Sequence, residues 1–188
     1  KRSDESDIME DGQESNPLSA YITKYSKDRP ENFEFIKFLR KIFDEKKHIT
    51  SIGEIGSGEG LDSTLKLGAD YVKGKEGLHL AYTFALLSEK MNANYFDHVT
   101  KFTEETIEDG WPCWSLSNHD CKRMMTRYKC FDKREGYQQM MLLLMLSLRG
   151  TPIIYYGEEV DMQHYEISKS ELKDPQGIRF WPDIKGRD

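Results

Sequence analysis

The 188-residue sequence has little of what proteins that bind nucleic acid or cross membranes need. Lys and Arg number 27 against 33 Asp and Glu, which gives a formal net charge of −6 at pH 7. Such a chain lacks the basic surface that attracts nucleic acid or anionic lipid. Its longest apolar run, residues 140–146, is far shorter than the roughly 18 residues that indicate a membrane span. We therefore expect no nucleic acid and no membrane among its partners.

Cysteine is also scarce. Cys113, Cys121 and Cys130 are odd in number and do not follow the CxxC spacing of zinc or redox motifs. We interpret them as free thiols of a reducing compartment rather than as a disulfide or a zinc site. Residues 1–17 are polar and acidic, without the apolar stretch of a signal peptide, and are expected to form a polar loop or a disordered end. The predicted location is cytoplasmic.

Residues 18–188 alternate between helical and strand-like patterns. A helix is predicted after Pro30, where apolar residues recur at helical spacing. Further helices are predicted over residues 61–67, 94–108 and 134–148, and strands over residues 48–52, 78–84, 113–117 and 151–156. The strands are apolar throughout, which is typical of parallel strands covered on both faces.

The spacing of the strands predicts the fold class. Their ends, at Glu54, Phe84, Asn118 and Tyr156, follow one another at intervals of 30 to 38 residues. One βα unit needs roughly 30 residues, so the pattern predicts an α/β protein of about four βα units. A helix comes first and a strand last, which favours the C-terminal half of a TIM (β/α)8 barrel, truncated at both ends, over residues 18–188. An open doubly wound sheet is the alternative on spacing alone.

Acidic residues follow three of the predicted strands. Glu54, Asp120 and the pair Glu158 and Glu159 lie where the chemistry of parallel α/β folds is found. Carboxylates that converge from different strands suit glycoside cleavage, in which one protonates the leaving oxygen and another stabilises a sugar cation. A metal site is less favoured because the HxxxH spacing is missing. Helix caps or ion pairs are the alternative use, above all for Glu158 and Glu159.

Four ordered segments carry a family resemblance that covers residues 16–188. They are SIGEI at 51–55, GWPCWSLSNHD at 110–120, LRGTPIIYYGEE at 148–159 and DPQGIRFWP at 174–182. Together they resemble the second half of the catalytic barrel of the alpha-amylase superfamily, glycoside hydrolase family 13, in its alpha-glucosidase and oligo-1,6-glucosidase branch. The substrates that this resemblance implies are oligosaccharides with α-linked glucose.

The resemblance also implies roles for particular residues. Glu54 would be the general acid/base, and Asp120 the carboxylate that stabilises the transition state. Asn118, His119 and Arg123 would bind the sugar, Arg123 through charge-assisted hydrogen bonds to the sugar or to Asp120. We expect no cofactor and no metal ion.

Several aromatic residues lie near these motifs. We expect Trp111, Trp114, His79 and Tyr82 to pack in the core, because aromatic side chains on barrel strands more often do so than bind a ligand. Tyr155 and Tyr156 are expected to lie in the core or behind the site.

The implied activity is that of a retaining alpha-glucosidase that hydrolyses terminal α-linked glucose from short oligosaccharides. No segment here resembles the family's nucleophile motif, Gly-Phe-Arg-x-Asp, so we expect the isolated chain to be inactive. One alternative is a glucosyl isomerase similar to trehalose synthase, which shields the same intermediate from water. The other is a non-catalytic barrel relative or a pseudogene product.

Overall fold

The computed structural model describes residues 27–56, 60–90, 92–128, 134–179 and 181. The polar segment predicted over residues 1–17 and the thiol of Cys130 lie outside this part of the chain. The helices are α1 (Pro30–Asp44), α2 (Leu61–Val72), α3 (Ala93–Thr106), α4 (Met124–Arg127), α5 (Arg134–Ser147) and α6 (Pro175–Arg179). The strands are β1 (Ile52–Ile55), β2 (Leu80–Thr83), β3 (Pro112–Ser115) and β4 (Thr151–Ile153), and short 3₁₀ turns follow β2 and β4 at Ala85–Leu87 and Glu158–Val160.

The four strands form one parallel sheet in the order β1-β2-β3-β4, which is also their order in the chain. Glu54 of β1 pairs with Tyr82 of β2, and Tyr82 pairs in turn with Cys113 of β3. A doubly wound sheet reverses its strand order and carries helices on both faces, and neither feature is seen among the described elements. The predicted half of a (β/α)8 barrel is therefore confirmed.

All the long helices pack on one face of the sheet, in two apolar clusters. The first joins Ile55 and Ala81 of the sheet to Tyr71 and Val72 of α2 and to Ile107. The second joins β3 to α2, α3 and α5 through Leu65, Phe96, Val99, Trp114, Met141 and Met145. Because side chains alternate along a strand, residues next to Ile55 and Ala81 point to the other face, which lines the interior of a barrel.

Two helices and the two outer strands have apolar surface in contact with solvent. On α1, Phe33 and Ile36 pack towards α2, whereas Phe35 and Phe38 on its other side are more than half exposed. On α5, Met140, Leu143 and Leu146 are also exposed. Among the described strands, β1 and β4 each have a single neighbour, and Ile52 and Ile154 at these edges are exposed. No helix in the described segments is long and apolar enough to cross a membrane.

The predicted elements are present, and their boundaries differ. The strand predicted over residues 48–52 is observed at Ile52–Ile55, because His48 has a positive φ of 65° and the N–H of Ser51 donates to the side chain of His79 and not to a neighbouring strand. Glu54 therefore lies within the strand. The helix predicted over residues 61–67 continues to Val72. Helices α4 and α6, of 4 and 5 residues, were not predicted, since so short a segment shows no periodicity.

Candidate active site

Glu54 lies on the inner face of β1, at the carboxyl end of the strand. Its neighbour Ile55 is buried against α2, and a Cβ built at Gly53 would meet the side chains of Leu78 and Ile55. Both neighbours of Glu54 thus face the helices, and Glu54 faces the opposite way, where it is exposed. The space beside Gly53 is therefore on the helix side and not around the Glu54 carboxylate.

Asn118 connects the chain segments that carry the two candidate carboxylates. It is buried just beyond β3, and its Nδ2 donates a hydrogen bond to Oε1 of Glu54 at 3.4 Å. Its Oδ1 accepts the backbone N–H of Asp120 at 3.0 Å, which forms an Asx turn. One side chain therefore fixes the start of the loop that holds Asp120 and contacts Glu54 two strands away. The structure brings Glu54, Asn118 and Asp120 to the same edge of the sheet.

His119 and Asp120 stand at the tip of this turn. The side chains of His119 and Asp120 are 66% and 44% exposed, and His119 Nε2 lies 3.7 Å from Asp120 Oδ2. Both groups keep free hydrogen-bonding capacity toward solvent, which a ligand with several hydroxyls can use. The arrangement suits a polar, uncharged ligand that lies against the turn.

Tyr82 is part of this site, so the prediction that it packs in the core is wrong. It neighbours Glu54 in the sheet, and its hydroxyl lies close to the side chains of Glu54 and Asn118. Burial, and then the adjacent Glu54 carboxylate, raise the pKa of Tyr82 to about 12. The phenol therefore stays protonated at physiological pH and remains a hydrogen-bond donor. Sequence reasoning could have found it, because residues paired across neighbouring strands share a face.

Arg123 is buried beside the segment that follows β4. Its Nη1 donates to the backbone oxygen of Tyr156 at 2.6 Å, and its guanidinium lies 4.9 and 4.7 Å from the ring centroids of Tyr155 and Tyr156. Among the described residues, no carboxylate lies within ion-pair distance of Arg123. These contacts tie the loop after β3 to the loop after β4. Sugar binding by Arg123 stays a prediction.

Arg127 of α4 anchors the loop after β3 through hydrogen bonds to backbone oxygens. Its buried guanidinium donates to the backbone oxygens of Ser88, Lys122, Leu86 and Leu116. These oxygens belong to the segments after β2 and β3. A planar group with five N–H donors can satisfy carbonyls in several directions at once, which a lysine cannot. Arg127 therefore sets how the two loops lie relative to each other.

Glu158 is buried and Glu159 is exposed, so the two carboxylates have different surroundings. Glu158 is buried, and its Oε2 accepts the backbone N–H of Tyr155 at 2.9 Å. Burial raises the pKa of the Glu158 carboxyl above its ordinary value, while the side chain of Ser117 and the N–H of Tyr155 act in the opposite direction. Glu159 is exposed. Among the described residues, Glu158 therefore accepts a loop N–H and neither caps a helix nor forms an ion pair.

The remaining aromatic residues divide between core and surface. Trp114 is buried and donates from Nε1 to the backbone oxygen of Arg149, as expected of a core residue. Trp111 is 46% exposed at the amino end of β3, so its assignment to the core is wrong, and it lies at the opposite edge from Asn118. His79 also lies at that opposite edge, where its Nδ1 contacts Ser51 Oγ at 2.8 Å.

The described residues near the site include neither an ionised thiol nor a cluster of metal ligands. Burial raises the pKa of the Cys113 thiol to about 11 and that of Cys121 above its ordinary value, so both stay protonated at neutral pH. In the described ranges, no three His, Cys, Asp or Glu side chains group closely enough to hold a metal ion.

Comparison with known proteins agrees with this geometry. The family profile for the alpha amylase catalytic domain matches residues 3–188. A probable alpha-glucosidase of Rhizobium meliloti (strain 1021) is 35% identical over 175 residues, which is 92% of this chain and 31% of that protein. The chain therefore spans about a third of the length of this curated relative.

Solved structures share the fold. The alpha-glucosyl transfer enzyme XgtA is 36% identical and superposes with a TM-score of 0.83, over 93% of this chain and 32% of XgtA. The trehalulose synthase MutB of Pseudomonas mesoacidophila MX-45, at 20% identity and a TM-score of 0.68, covers 82% of this chain and 30% of its own. At that identity the second likeness concerns the fold alone. From the four-stranded half barrel and the profile match over nearly the whole chain, we conclude that this chain belongs to the alpha-amylase catalytic-domain family.

Proposed function

We propose that this chain provides the acid/base half of the active site of a retaining alpha-glucosidase, with Glu54 as general acid/base and Asp120 as the second carboxylate. The observation that carries the proposal is the contact of Asn118 with both the Glu54 side chain and the Asp120 backbone. It is supported by 35% identity to a probable alpha-glucosidase. The proposed substrates are short oligosaccharides that end in α-linked glucose.

The proposed roles follow from where the groups stand. Glu54 is exposed on the inner face, where it can protonate the oxygen of a departing sugar and later activate a water molecule. Asp120 lies at the tip of the turn, from where its charge can stabilise the positive sugar ring of the transition state. His119, beside Asp120, can donate to sugar hydroxyls. The proposal assigns the nucleophilic carboxylate to another part of the barrel, so the isolated 188 residues should not turn over substrate.

A chimera tests this proposal. The chain would replace the matching segment of the Rhizobium meliloti probable alpha-glucosidase, which then supplies the other strands. We expect the chimera to hydrolyse nitrophenyl α-glucoside and maltose, whereas the isolated chain hydrolyses neither. Glu54→Gln and Asp120→Asn should each lower kcat by at least about a thousandfold, because both interactions act in the transition state.

Glu159→Gln is the matched control for these variants, because Glu159 is an exposed acid that follows the carboxyl end of β4. It should change kcat less than about threefold. A folded chimera that keeps its activity after Glu54→Gln would contradict the acid/base role, and so would robust hydrolysis by the isolated chain. Circular dichroism of each variant separates loss of chemistry from loss of fold.

Transfer of glucose to an acceptor sugar is a second candidate, favoured by 36% identity to the alpha-glucosyl transfer enzyme XgtA. Hydrolysis and transfer use the same carboxylates and differ in whether water or a sugar attacks the intermediate. Product analysis of the chimera with maltose distinguishes them: free glucose alone indicates hydrolysis, and longer saccharides indicate transfer. A disaccharide of the same mass with a new linkage would instead indicate an isomerase.

The cytoplasmic location stays a prediction. It is supported by the thiols of Cys113 and Cys121, which are unpaired among the described cysteines. Fractionation of the source cells followed by immunodetection would test it, and recovery from an extracellular or membrane fraction would contradict it.

A further inference from the structure

We propose that Tyr82 is a positioning residue whose hydroxyl fixes the Glu54 carboxylate in the orientation needed for proton transfer. This inference rests on the acid/base role proposed above for Glu54. The geometry that carries it is the pairing of Glu54 with Tyr82 across β1 and β2, with both side chains on the inner face. The Tyr82 hydroxyl also meets the side chain of Asn118.

Three side chains from three successive strand regions lie together on the inner face, next to the hydrogen bond between Asn118 and Glu54. Asn118 Nδ2 has two hydrogens, so it can donate to Glu54 Oε1 at 3.4 Å and also to the Tyr82 oxygen. In the proposed arrangement, the Tyr82 hydroxyl donates its own proton to Glu54. Two donors from different strands then hold the carboxylate, which restricts its rotation although it is exposed to solvent.

A packing role alone does not account for Tyr82. Phe84 is 6.5 Å away between ring centroids, so phenylalanine at position 82 would keep this aromatic contact and lose only the hydroxyl. The apolar clusters of the sheet lie on the helix side and include Ala81, the neighbour of Tyr82, but not Tyr82 itself. What the hydroxyl contributes is therefore its contact with Glu54 and Asn118.

The first experiment uses the 188-residue chain and does not depend on activity. A difluorotyrosine incorporated at position 82 ionises at lower pH, and ¹⁹F NMR can follow its titration. Glu54→Gln removes the negative charge next to the phenol, so we expect the pKa of residue 82 to fall, while Glu159→Gln leaves it unchanged. An identical titration in the parent and in Glu54→Gln would show that the two groups do not touch and would overturn the proposal.

The second experiment uses the chimera and compares two leaving groups. Tyr82→Phe should lower kcat for maltose by about 10- to 100-fold with little change in KM, the effect expected for one hydrogen bond to a charged group. Nitrophenolate needs little protonation to leave, so kcat for nitrophenyl α-glucoside should fall much less. Tyr71→Phe is the matched control: its hydroxyl meets Asn32 at 2.7 Å, on α2 and away from the site.

The outcomes separate this proposal from the function on which it rests. Equal loss of kcat with both substrates in Tyr82→Phe would mean that Tyr82 only supports the fold, and the positioning role would be wrong while the glucosidase proposal stands. Full activity of Glu54→Gln would overturn the acid/base role and the positioning role together. The NMR titration would still show whether the Tyr82–Glu54 contact exists.

Discussion

The side-chain amide of Asn118 lies 3.4 Å from the carboxylate of Glu54, although 64 residues separate them in the sequence. Asn118 is buried, and its other polar atom is occupied by the backbone N–H of Asp120. Both polar atoms of this amide therefore have specific partners, and replacement of either atom would remove a hydrogen bond. The relationship makes Asn118 a structural link between two chemical groups as well as a possible sugar ligand.

Replacement of Asn118 by aspartate should therefore destabilise the fold. The acceptor for the Asp120 N–H is kept, but the donor to Glu54 is replaced by a second negative charge. We expect Asn118→Asp to lower the free energy of unfolding by about 1–3 kcal/mol at pH 7, and by less at pH 4. Urea unfolding at both pH values measures this.

The control for that variant is Asn92→Asp, at the N-cap of α3. Asn92 accepts the backbone N–H of Tyr95 at 2.9 Å, a bond that aspartate makes equally well. Asn92→Asp should leave stability within about 0.5 kcal/mol. A loss as large as that of Asn118→Asp would show that any added charge destabilises this chain.

Arg127→Lys should destabilise the fold far more than a conservative substitution normally does. The buried guanidinium donates to backbone oxygens on two loops, and an ammonium with three donors on one atom cannot reach them all. We expect a loss of about 3 kcal/mol in the free energy of unfolding. Arg149→Lys, at an exposed ion pair with Glu104, should cost less than about 1 kcal/mol. Equal losses in the two variants would contradict the role of Arg127.

The buried carboxyl of Glu158 predicts a pH-dependent effect. Its pKa is raised by burial in the folded chain and ordinary in the unfolded chain, so the unfolded state releases this proton first as the pH rises. The contribution of Glu158 to stability is therefore fully present below its ordinary pKa and is lost as pH rises through the raised value. Glu158→Gln keeps an acceptor for Tyr155 and does not ionise.

The melting temperature of Glu158→Gln, relative to that of the parent chain, should accordingly rise between pH 4 and pH 7. Calorimetry at the two pH values gives this difference, and Glu159→Gln provides the exposed control. If the difference in melting temperature between Glu158→Gln and the parent did not change with pH, the Glu158 carboxyl would have the same pKa in the folded and unfolded chains, and the prediction would be wrong.

Two glycines should respond to alanine in opposite directions. Gly150 has φ +134°, and a Cβ there would lie 2.7 Å from the backbone oxygen of Pro112. Gly150→Ala should lower the free energy of unfolding by about 2–3 kcal/mol. Gly136, in α5, has nothing within 4 Å of the position that a Cβ would take. Gly136→Ala should therefore raise the free energy of unfolding by about 0.5–1 kcal/mol. Thermal unfolding of both variants tests the pair, and a stabilised Gly150→Ala would contradict the backbone geometry.

The order of strands and helices could be predicted because each long element has its own apolar pattern. Helices α3 and α5, for example, begin and end within about two residues of the predicted bounds. Helix α4 could not be predicted, because its 4 residues are held by the side chain of Arg127 and the hydroxyl of Ser117, which accepts the N–H of Met124. Such contacts depend on other segments and leave no periodic signal.

The candidate site was predictable only where a motif marked it. Glu54, Asn118 and Asp120 were identified from the segments that resemble the family, and the contact of Asn118 with Glu54 brings them together. Tyr82 was missed because an aromatic residue on an apolar strand gives the same sequence pattern whether its ring packs in the core or its hydroxyl donates a hydrogen bond. Only the register of β1 with β2 reveals that its hydroxyl meets a carboxylate.

Among the described strands β1 has an open edge, and this has a practical consequence for variants of the isolated chain. An unpaired strand edge recruits other strands, and a charged side chain on it discourages this self-association. Glu54 is the charged residue of β1, between the exposed Ile52 and the buried Ile55. In the isolated chain, removal of this charge in Glu54→Gln should therefore make the protein less soluble. Measurements on that variant should be normalised to the protein concentration that remains in solution after centrifugation.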